Sequence, residues 1–367
     1  MRFIYHSRMD NKISTGGVRF NMEVLKGLEK ISPDIHFLEA RRCSGIPIFF
    51  YLFENIRLAY RFNRICTRNS LNIVVLDYTN RITHLLVALW SRSKRNCFFV
   101  ANVAAIYFSY RKNKFKNKLD KTISKIFLSQ ADIVLCRGTK LREIIIGKWK
   151  VVSPKSYVIS SAVRKEFQDS WLKADLPKNG VWNLIFVGRM HPIKGLEYLL
   201  DALNLLRNYS VKLYVLAELD NSPYCIKILK KIKQDDLGQK IMLTGKVTDV
   251  NQLIEFYLAS HISLLSSLWD TYPTALMESM CLGLPIIATK VGDVPYIIED
   301  GRTGILVEPG NSTQLANAIR HLITNKDIWV SMSAASFEHS KIFKARSWED
   351  VSIEFNQMIL EGVSQYK

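Results

Sequence analysis

A chain of 367 residues is too long for one ordinary hydrophobic core, so two domains are expected. Hydrophobic residues at 48% and charged residues at 23% exclude a disordered chain. The net charge of +18 is unevenly placed, with 31 Lys and Arg against 12 Asp and Glu in residues 1–170 but 20 against 21 in 171–367, so the first half alone is built to meet a polyanion or an anionic surface. The six cysteines (43, 66, 97, 136, 225 and 281) contain no Cys-x-x-Cys spacing and read as reduced, buried thiols of a cytosolic protein. Together with seven dispersed histidines they offer no metal cluster. No secretory signal is expected, because the first residues run straight into a strand-like pattern. The longest apolar run, 46–53, is eight residues, and a spanning helix needs about 20, so an integral membrane protein is not expected.

Arg2-Phe3-Ile4-Tyr5 reads as a strand. Ser14-Thr15-Gly16-Gly17 leads into an amphipathic helix over 18–30, with Phe20, Val24, Leu25 and Leu28 on one side. Paired glycines between a strand and a helix let backbone N–H groups approach a ligand phosphate, although a plain tight turn has the same pattern. Ile35-His36-Phe37-Leu38 is a second strand. Over 49–67, aromatic and aliphatic residues surround Arg57, Arg61 and Arg64, and Arg68 follows. Arginines four and three apart share one helical stripe, which fits a basic helix lying at a membrane interface or a core helix with a solvated arginine face. Ile73-Val74-Val75-Leu76 and Cys97-Phe98-Phe99-Val100 are further strands.

The run Lys112, Lys114, Phe115, Lys116 and Lys118, preceded by Tyr107, Phe108 and Tyr110, interleaves aromatics with dense positive charge and predicts contact with lipid headgroups. Ile133-Val134-Leu135 and Tyr157-Val158-Ile159 complete a strand–helix alternation, which implies a mostly parallel sheet with helices on both faces. Residues 166–181 are polar and carry Pro177 and Gly180. The domains are therefore drawn at 1–168 and 169–340, with 341–367 a C-terminal helix able to pack back on the first domain.

The second half restarts the rhythm, with strands at 184–188, 211–216, 241–244, 262–265, 286–289 and 304–307. Six strands with crossovers predict a doubly wound sheet of order 3-2-1-4-5-6, whose ligand crevice lies beyond the carboxyl ends of strands 1 and 4. The loop after the first is Gly188-Arg189-Met190-His191-Pro192-Ile193-Lys194-Gly195. The loop after the fourth runs from Ser266 to Asp270 and on to Thr271-Tyr272-Pro273-Thr274-Ala275, where Pro273 suits the first position of a short helix that ends at Gly283. Arg189, Lys194, Asp270 and the N–H groups of that helix start are thus expected in one crevice. Two cations beside a helix N-terminus suit a diphosphate.

At these residues the chain resembles the retaining glycosyltransferases of family 4, the group 1 glycosyltransferases. The resemblance is carried by Val187-Gly188-Arg189 through Lys194-Gly195-Leu196, by an acidic-x7-Glu motif from Asp270 to Glu278 followed by Gly283-Leu284-Pro285, and by Val291-Gly292-Asp293-Val294-Pro295 and the segment from Asp300 to Val307. It is strong over about 181–320, whereas Gly16-Gly17 is the main match in the first half. The resemblance implies the GT-B fold, an α/β architecture of two Rossmann-like doubly wound domains facing each other across a cleft. It implies that Arg189 and Lys194 neutralise a donor diphosphate, that Glu278 accepts the ribose hydroxyls, and that Asp270 faces the donor sugar with backbone amides at Tyr272, Pro273, Thr274 and Ala275 around its oxygens. Pro273 itself carries no N–H. Gly16 and Gly17 would close on the diphosphate, Gly188 would line it, and Lys246 and Val247 would border the base.

Asp270, Arg189, Lys194 and Glu278 are the implied catalytic set. No metal or other cofactor is demanded beyond the nucleotide-sugar substrate. The chain departs from the family in four places. Asp270 stands where Glu is common, and Asn102 stands where many members carry a histidine after the fourth strand, which makes Asn102 the candidate acceptor-side residue. Ser160-Ser161-Ala162-Val163-Arg164 replaces the usual Asn-Gly-Val-Asp, and Leu216-Ala217-Glu218-Leu219 lacks a usual glycine.

The reading is a retaining hexosyltransferase-type enzyme. It passes a sugar from a nucleotide-sugar to a saccharide acceptor, lipid-linked, in bacterial surface polysaccharide synthesis (lipopolysaccharide, O-antigen or capsule). It is expected in the cytoplasm, peripheral on the inner face of the plasma membrane, with the basic half on the anionic lipid. A catalytically silent nucleotide-sugar-binding protein and a sugar-nucleotide epimerase of the same architecture are the alternatives. A nucleic-acid partner is not expected, because no nucleic-acid module is recognisable.

Overall fold

In a computed structural model the described residues are 2–7, 16–31, 34–39, 71–77, 96–104, 114–152, 155–170 and 173–365, with isolated positions between 57 and 66 and at 88, 89 and 93. The chain divides into two compact units, one of residues 1–161 and 348–367, the other of residues 162–347. Among the described residues no helix is long and apolar enough to cross a membrane.

The first unit holds strands β1 (Arg2–Ser7), β2 (Ile35–Glu39), β3 (Asn72–Asp77), β4 (Cys97–Val103), β5 (Ile133–Cys136) and β6 (Lys155–Val158). They form one parallel sheet of order β2-β1-β3-β4-β5-β6. The six strands coincide with the six expected. β3, β4 and β5 are buried along their whole length, as a parallel sheet covered on both faces requires. The helix Gly16–Ile31 starts at the glycine pair itself, two residues before the expected first turn. It packs on the C-terminal helix Trp348–Ser364. Phe20 meets Trp348 and Phe355 edge-on at 6.1 and 6.4 Å. Gly27 lies so close to Ser352 that a Cβ there would sit 2.2 Å from the serine's own, and the Ser352 hydroxyl donates to the Glu23 carbonyl at 3.0 Å.

The second unit holds β7 (Trp182–Val187), β8 (Val211–Leu216), β9 (Ile241–Leu243), β10 (Ile262–Leu265), β11 (Ile286–Thr289) and β12 (Gly304–Val307). All are parallel, in the order β12-β11-β10-β7-β8-β9, which is the expected 3-2-1-4-5-6. Alternate residues serve opposite faces, as the two-residue period of a strand dictates. Leu184 and Phe186 join the core with Leu199, Leu203 and Ile319, whereas Ile185 joins Tyr257, Leu276, Met277 and Met280 on the other side.

Val163 and Phe167, expected to close the first domain, belong with Ala174 to that second core, and the second unit begins at Ala162. Side-chain caps start several helices here: Ser222 accepts from the Cys225 N–H at 3.2 Å, Asp249 from Gln252 at 2.8 Å and Asn311 from Gln314 at 2.9 Å. The described cysteines are free, and all but half-buried Cys66 are buried.

Candidate active site

In the second sheet the chain leaves neighbouring strands β7 and β10 in opposite directions, so a crevice must open between their following loops. The pairing Ile262↔Leu184 and Ser263↔Ile185 places these strands side by side. Their loops are stitched together by backbone. The Leu268 N–H donates to the Ile193 carbonyl at 2.8 Å, and the Ser266 hydroxyl donates to the Lys194 carbonyl at 3.0 Å. Gly195 sits at φ +64, and a Cβ on it would lie 2.0 Å from the Ser266 carbonyl oxygen. Only glycine allows both that left-handed backbone and that approach.

The loop after β11 supports the same place from a third side. Its Asp293 N–H donates to the Thr271 carbonyl at 3.0 Å. Gly292, at φ +49, would put a Cβ 1.8 Å from the Asp270 carbonyl oxygen.

These contacts bring Lys194 and Asp270 together. The Lys194 ammonium forms an ion pair with one carboxylate oxygen of Asp270, both side chains being largely withdrawn from solvent. The other oxygen accepts from the Thr271 N–H at 3.0 Å, which fixes the carboxylate's direction. Arg189, on the same loop as Lys194, is exposed. Between them His191 caps the short turn Pro192–Lys194, its ring Nδ1 accepting from the Ile193 N–H at 3.2 Å. Partial burial, then the positive charges of Arg189 and Lys194, lower its pKa from the usual 6.5. Gly188 lies against the Phe186 ring and the Lys194 stem.

The helix Thr274–Cys281 follows, with Pro273 in the cap position rather than at the first helical position, and with no side chain capping it. The Leu276 N–H returns to the Pro273 carbonyl at 3.2 Å. The uncapped first turn keeps N–H groups free for an anion. At the other end Gly283, at φ +71, makes the expected left-handed stop, with the Gly283 and Leu284 N–H groups closing on Met280 and Ser279 at 2.9 and 3.1 Å.

Glu278 is buried on this helix. Its Oε1 accepts from Arg164 Nε at 3.0 Å, and its Oε2 from the Tyr257 hydroxyl at 3.5 Å. Burial, then the charge of Glu278, push the Tyr257 phenol well above 10.0, and Arg164 acts against them. Arg164 and Tyr257 were not in the expected site. The signal in the sequence is the departure at 160–164, which ends on Arg164.

The remaining expected residues fall as follows. Tyr272 is half-buried and packs beside the second core. Lys246 is exposed and Val247 half-buried on the loop after edge strand β9, at the same end of the sheet. Asn102 is the penultimate residue of β4 in the first unit and is fully buried. Its amide N–H₂ donates to Asp77 at 2.6 Å and to the Tyr5 hydroxyl at 3.3 Å, and Tyr5 donates to Asp77 at 3.2 Å. Arg137 is buried in the same unit, its guanidinium 3.7 Å from the Phe20 ring centre. Burial and the nearby Asp77 charge push Tyr5 well above 10.0, partly countered by Arg137.

Gly16 and Gly17 begin a helix of the first unit. Arg57, Arg61, Arg64 and Lys118 are exposed. Lys112 lies outside the described residues, as do the side chains of Lys114, Phe115 and Lys116.

Residues 182–325 match the family model described as glycosyl transferases group 1. This stretch lies within the second unit and contains the whole constellation from Arg189 to Glu278. Over that stretch the chain is similar to the group 1 glycosyltransferases. An uncharacterized glycosyltransferase of Methanocaldococcus jannaschii is 26% identical over 68% of this chain and 65% of its own length. The lipopolysaccharide 1,2-N-acetylglucosaminetransferase of Salmonella typhimurium is 27% identical over 48% and 47%. The chain thus spans less than two thirds of the length of these curated relatives. Among solved structures, sucrose-phosphate synthase from Thermosynechococcus elongatus superposes with a TM-score of 0.81 at 16% identity, covering 99% of both chains. An Anabaena protein in complex with UDP-glucose gives 0.72 at 16%, again over 99% of both. The fold is GT-B.

Proposed function

We propose that the chain transfers a sugar from a nucleotide-sugar to a saccharide acceptor with retained anomeric configuration. The observation that carries this is the convergence of Lys194, Asp270, an uncapped helix start and buried Glu278 at the carboxyl ends of β7 and β10. In the reaction the bond from the anomeric carbon to the diphosphate oxygen breaks, and its electron pair goes to that oxygen. The acceptor hydroxyl oxygen bonds to the same face of the carbon, and its proton passes to the departing diphosphate. The work asked of the protein is electrostatic. An ammonium has three donors, so Lys194 can keep Asp270 and still bond a phosphate oxygen. Arg189, exposed on the same loop, and the N–H groups of Thr274 and Ala275 take the rest of the developing charge. Arg189 and Lys194 thereby fill the role a metal ion has in other transferases. Asp270 faces the sugar hydroxyls, and Glu278 takes the ribose.

The acceptor is lipid-linked, and the enzyme sits on an anionic membrane face. Support comes from the charge confined to residues 1–170, from exposed Arg57, Arg61, Arg64, Lys118 and Lys121, and from Leu119 and Ile126 standing 51% and 42% exposed on the helix Lys114–Ser129. Exposed apolar residues beside lysines suit an interface between water and lipid. The lipopolysaccharide transferase among the relatives favours surface polysaccharide synthesis.

The deciding experiment incubates the purified protein with UDP-, GDP-, ADP- and dTDP-sugars and measures released nucleoside diphosphate and thermal protection. One donor should be turned over by wild type and not by folded Lys194→Ala or Glu278→Ala. Full activity in both variants would remove the donor-site assignment.

A further inference from the structure

Glu278 is a buried carboxylate whose placement depends on two residues far away in sequence. A carboxylate has two oxygens and about four lone-pair sites. Arg164 occupies one through Nε and Tyr257 another, so about two remain, one on each oxygen. That is the acceptor capacity needed by two adjacent hydroxyls. The Tyr257 contact, at 3.5 Å, is at the limit of a hydrogen bond. Arg164 is therefore the stronger of the two holds, and among the described residues it is the cation paired with Glu278.

The hold is itself rigid. Arg164 has extended backbone, φ −67 and ψ 148, at the cap of the turn Lys165–Gln168. Its carbonyl accepts from the N–H groups of Phe167 and Gln168 at 3.0 and 3.1 Å. Phe167 packs edge-on to Tyr257 at 5.8 Å, and the Arg164 guanidinium lies 5.7 Å from the Phe167 ring centre. One buried cluster thus sets both partners of the carboxylate. Arg164 meets Glu278 by its Nε edge, not as a two-pronged fork, which leaves both carboxylate oxygens able to accept further.

We propose that Arg164 is a positioning residue for the donor ribose: it aims Glu278 so that the two free lone pairs of the carboxylate receive the 2′ and 3′ hydroxyls. The role depends on the nucleotide-sugar reading given above. Its consequence is discrimination between ribose and deoxyribose. Loss of a hydrogen bond to a charged group weakens binding about tenfold or more, so wild type must prefer the ribonucleotide by that factor. Without Arg164 the carboxylate loses the stronger of its two holds and swings, and the preference falls.

The test is calorimetric binding of UDP, GDP, ADP and CDP to wild type, then of the 2′-deoxy form of whichever binds tightest, repeated on Arg164→Met, Arg164→Lys and Glu278→Gln. Near-ultraviolet circular dichroism checks the fold. The expected result is a ribose preference of about tenfold or more in wild type, lost in Arg164→Met and Glu278→Gln and partly restored in Arg164→Lys. A merely structural Arg164 would weaken both nucleotides equally and leave their ratio unchanged. If Arg164→Met keeps the wild-type ratio while Glu278→Gln loses it, the role of Arg164 is overturned and the donor site stands. If Arg164→Met does not fold, the ratio in Arg164→Lys decides, a full wild-type value overturning the requirement for a guanidinium. If wild type binds none of the four, or prefers no ribose, the donor reading itself falls.

Discussion

Gly195 is where the geometry of the candidate site can be tested without touching a charged group. Replacing it by alanine has two separable costs. The first is the left-handed backbone at φ +64, which costs an L-residue about 1 to 2 kcal/mol. The second is the Cβ placed 2.0 Å from the Ser266 carbonyl oxygen, a contact with backbone that must open by about 1 Å. Overpacking of that kind adds about 1 to 3 kcal/mol. Gly301 supplies the control, since it has φ +79 in the same unit and nothing within 4 Å of a built Cβ. Gly301→Ala should therefore show the first cost alone, and Gly195→Ala the sum, about 2 to 5 kcal/mol.

At about 2 to 4 °C per kcal/mol for a domain of this size, calorimetric melting should fall a few degrees for Gly301→Ala and roughly 10 °C for Gly195→Ala. The extra loss should be accompanied by weaker nucleoside diphosphate binding, because the loop that retreats with Ser266 carries Asp270. Melting temperatures within about 2 °C of each other, on a scale where 1 kcal/mol is worth that much, would refute the claim that the two loops are pinned at Gly195.

Three further outcomes are expected. Lys194→Ala leaves the Asp270 carboxylate without its ammonium partner beside the diphosphate site, so it should weaken nucleoside diphosphate binding more than the double variant Lys194→Ala/Asp270→Ala, and a double-mutant cycle in which the two single losses simply add would show that the residues act independently. His261 is held neutral, its pKa lowered from 6.5 to about 4 by burial, with its Nδ1 accepting from the Asn183 N–H at 2.7 Å. The folded value lies below the unfolded one, so the unfolded chain binds more protons between them. The second unit should therefore lose up to about 3 kcal/mol, at about 1.4 kcal/mol per pH unit, as pH falls from 6.5 to 4. Denaturation titrations of His261→Gln should show a flatter slope over that window, and an unchanged slope would assign it elsewhere. Neutralising Lys112, Lys114, Lys116 and Lys118 together should reduce partitioning onto anionic vesicles by tenfold or more at low salt, at about 1 kcal/mol per charge, and unchanged partitioning would make the run a solubility feature.

Twelve strands and the order of the second sheet were legible because buried parallel strands are short, continuous apolar runs, and because crossover handedness leaves few topologies for them. The loops of the crevice were legible for a related reason: in such a sheet the switch point depends on strand order alone, which puts the loops of Lys194 and Asp270 side by side. The helix start was placed one residue early, at Pro273. The ring that suits the first helical turn by its fixed φ also suits the extended cap, and here ψ is 108, outside the helical range. Asn102 has surroundings that the sequence does not announce. The resemblance makes it the acceptor-side candidate, and its N–H₂ group donates to buried Asp77 and Tyr5, partners 25 and 97 residues away that no local pattern indicates.

Glu278 shows how the two kinds of information combine. Its spacing from Asp270 marked it as part of a motif, and the first helical turns place it under the anion-binding end. What the spacing could not show is that the carboxylate is buried, and that its two oxygens already have partners 114 and 21 residues away. A buried charge without a partner is costly, so Glu278 in this place calls for a cation such as Arg164. The segment Ser160-Ser161-Ala162-Val163-Arg164 is therefore more than a departure from a family pattern. Once Glu278 is placed in a dry helix interior, a cation within reach becomes a requirement of the fold, and its choice as an arginine on a turn anchored by Phe167 decides in which direction the carboxylate points.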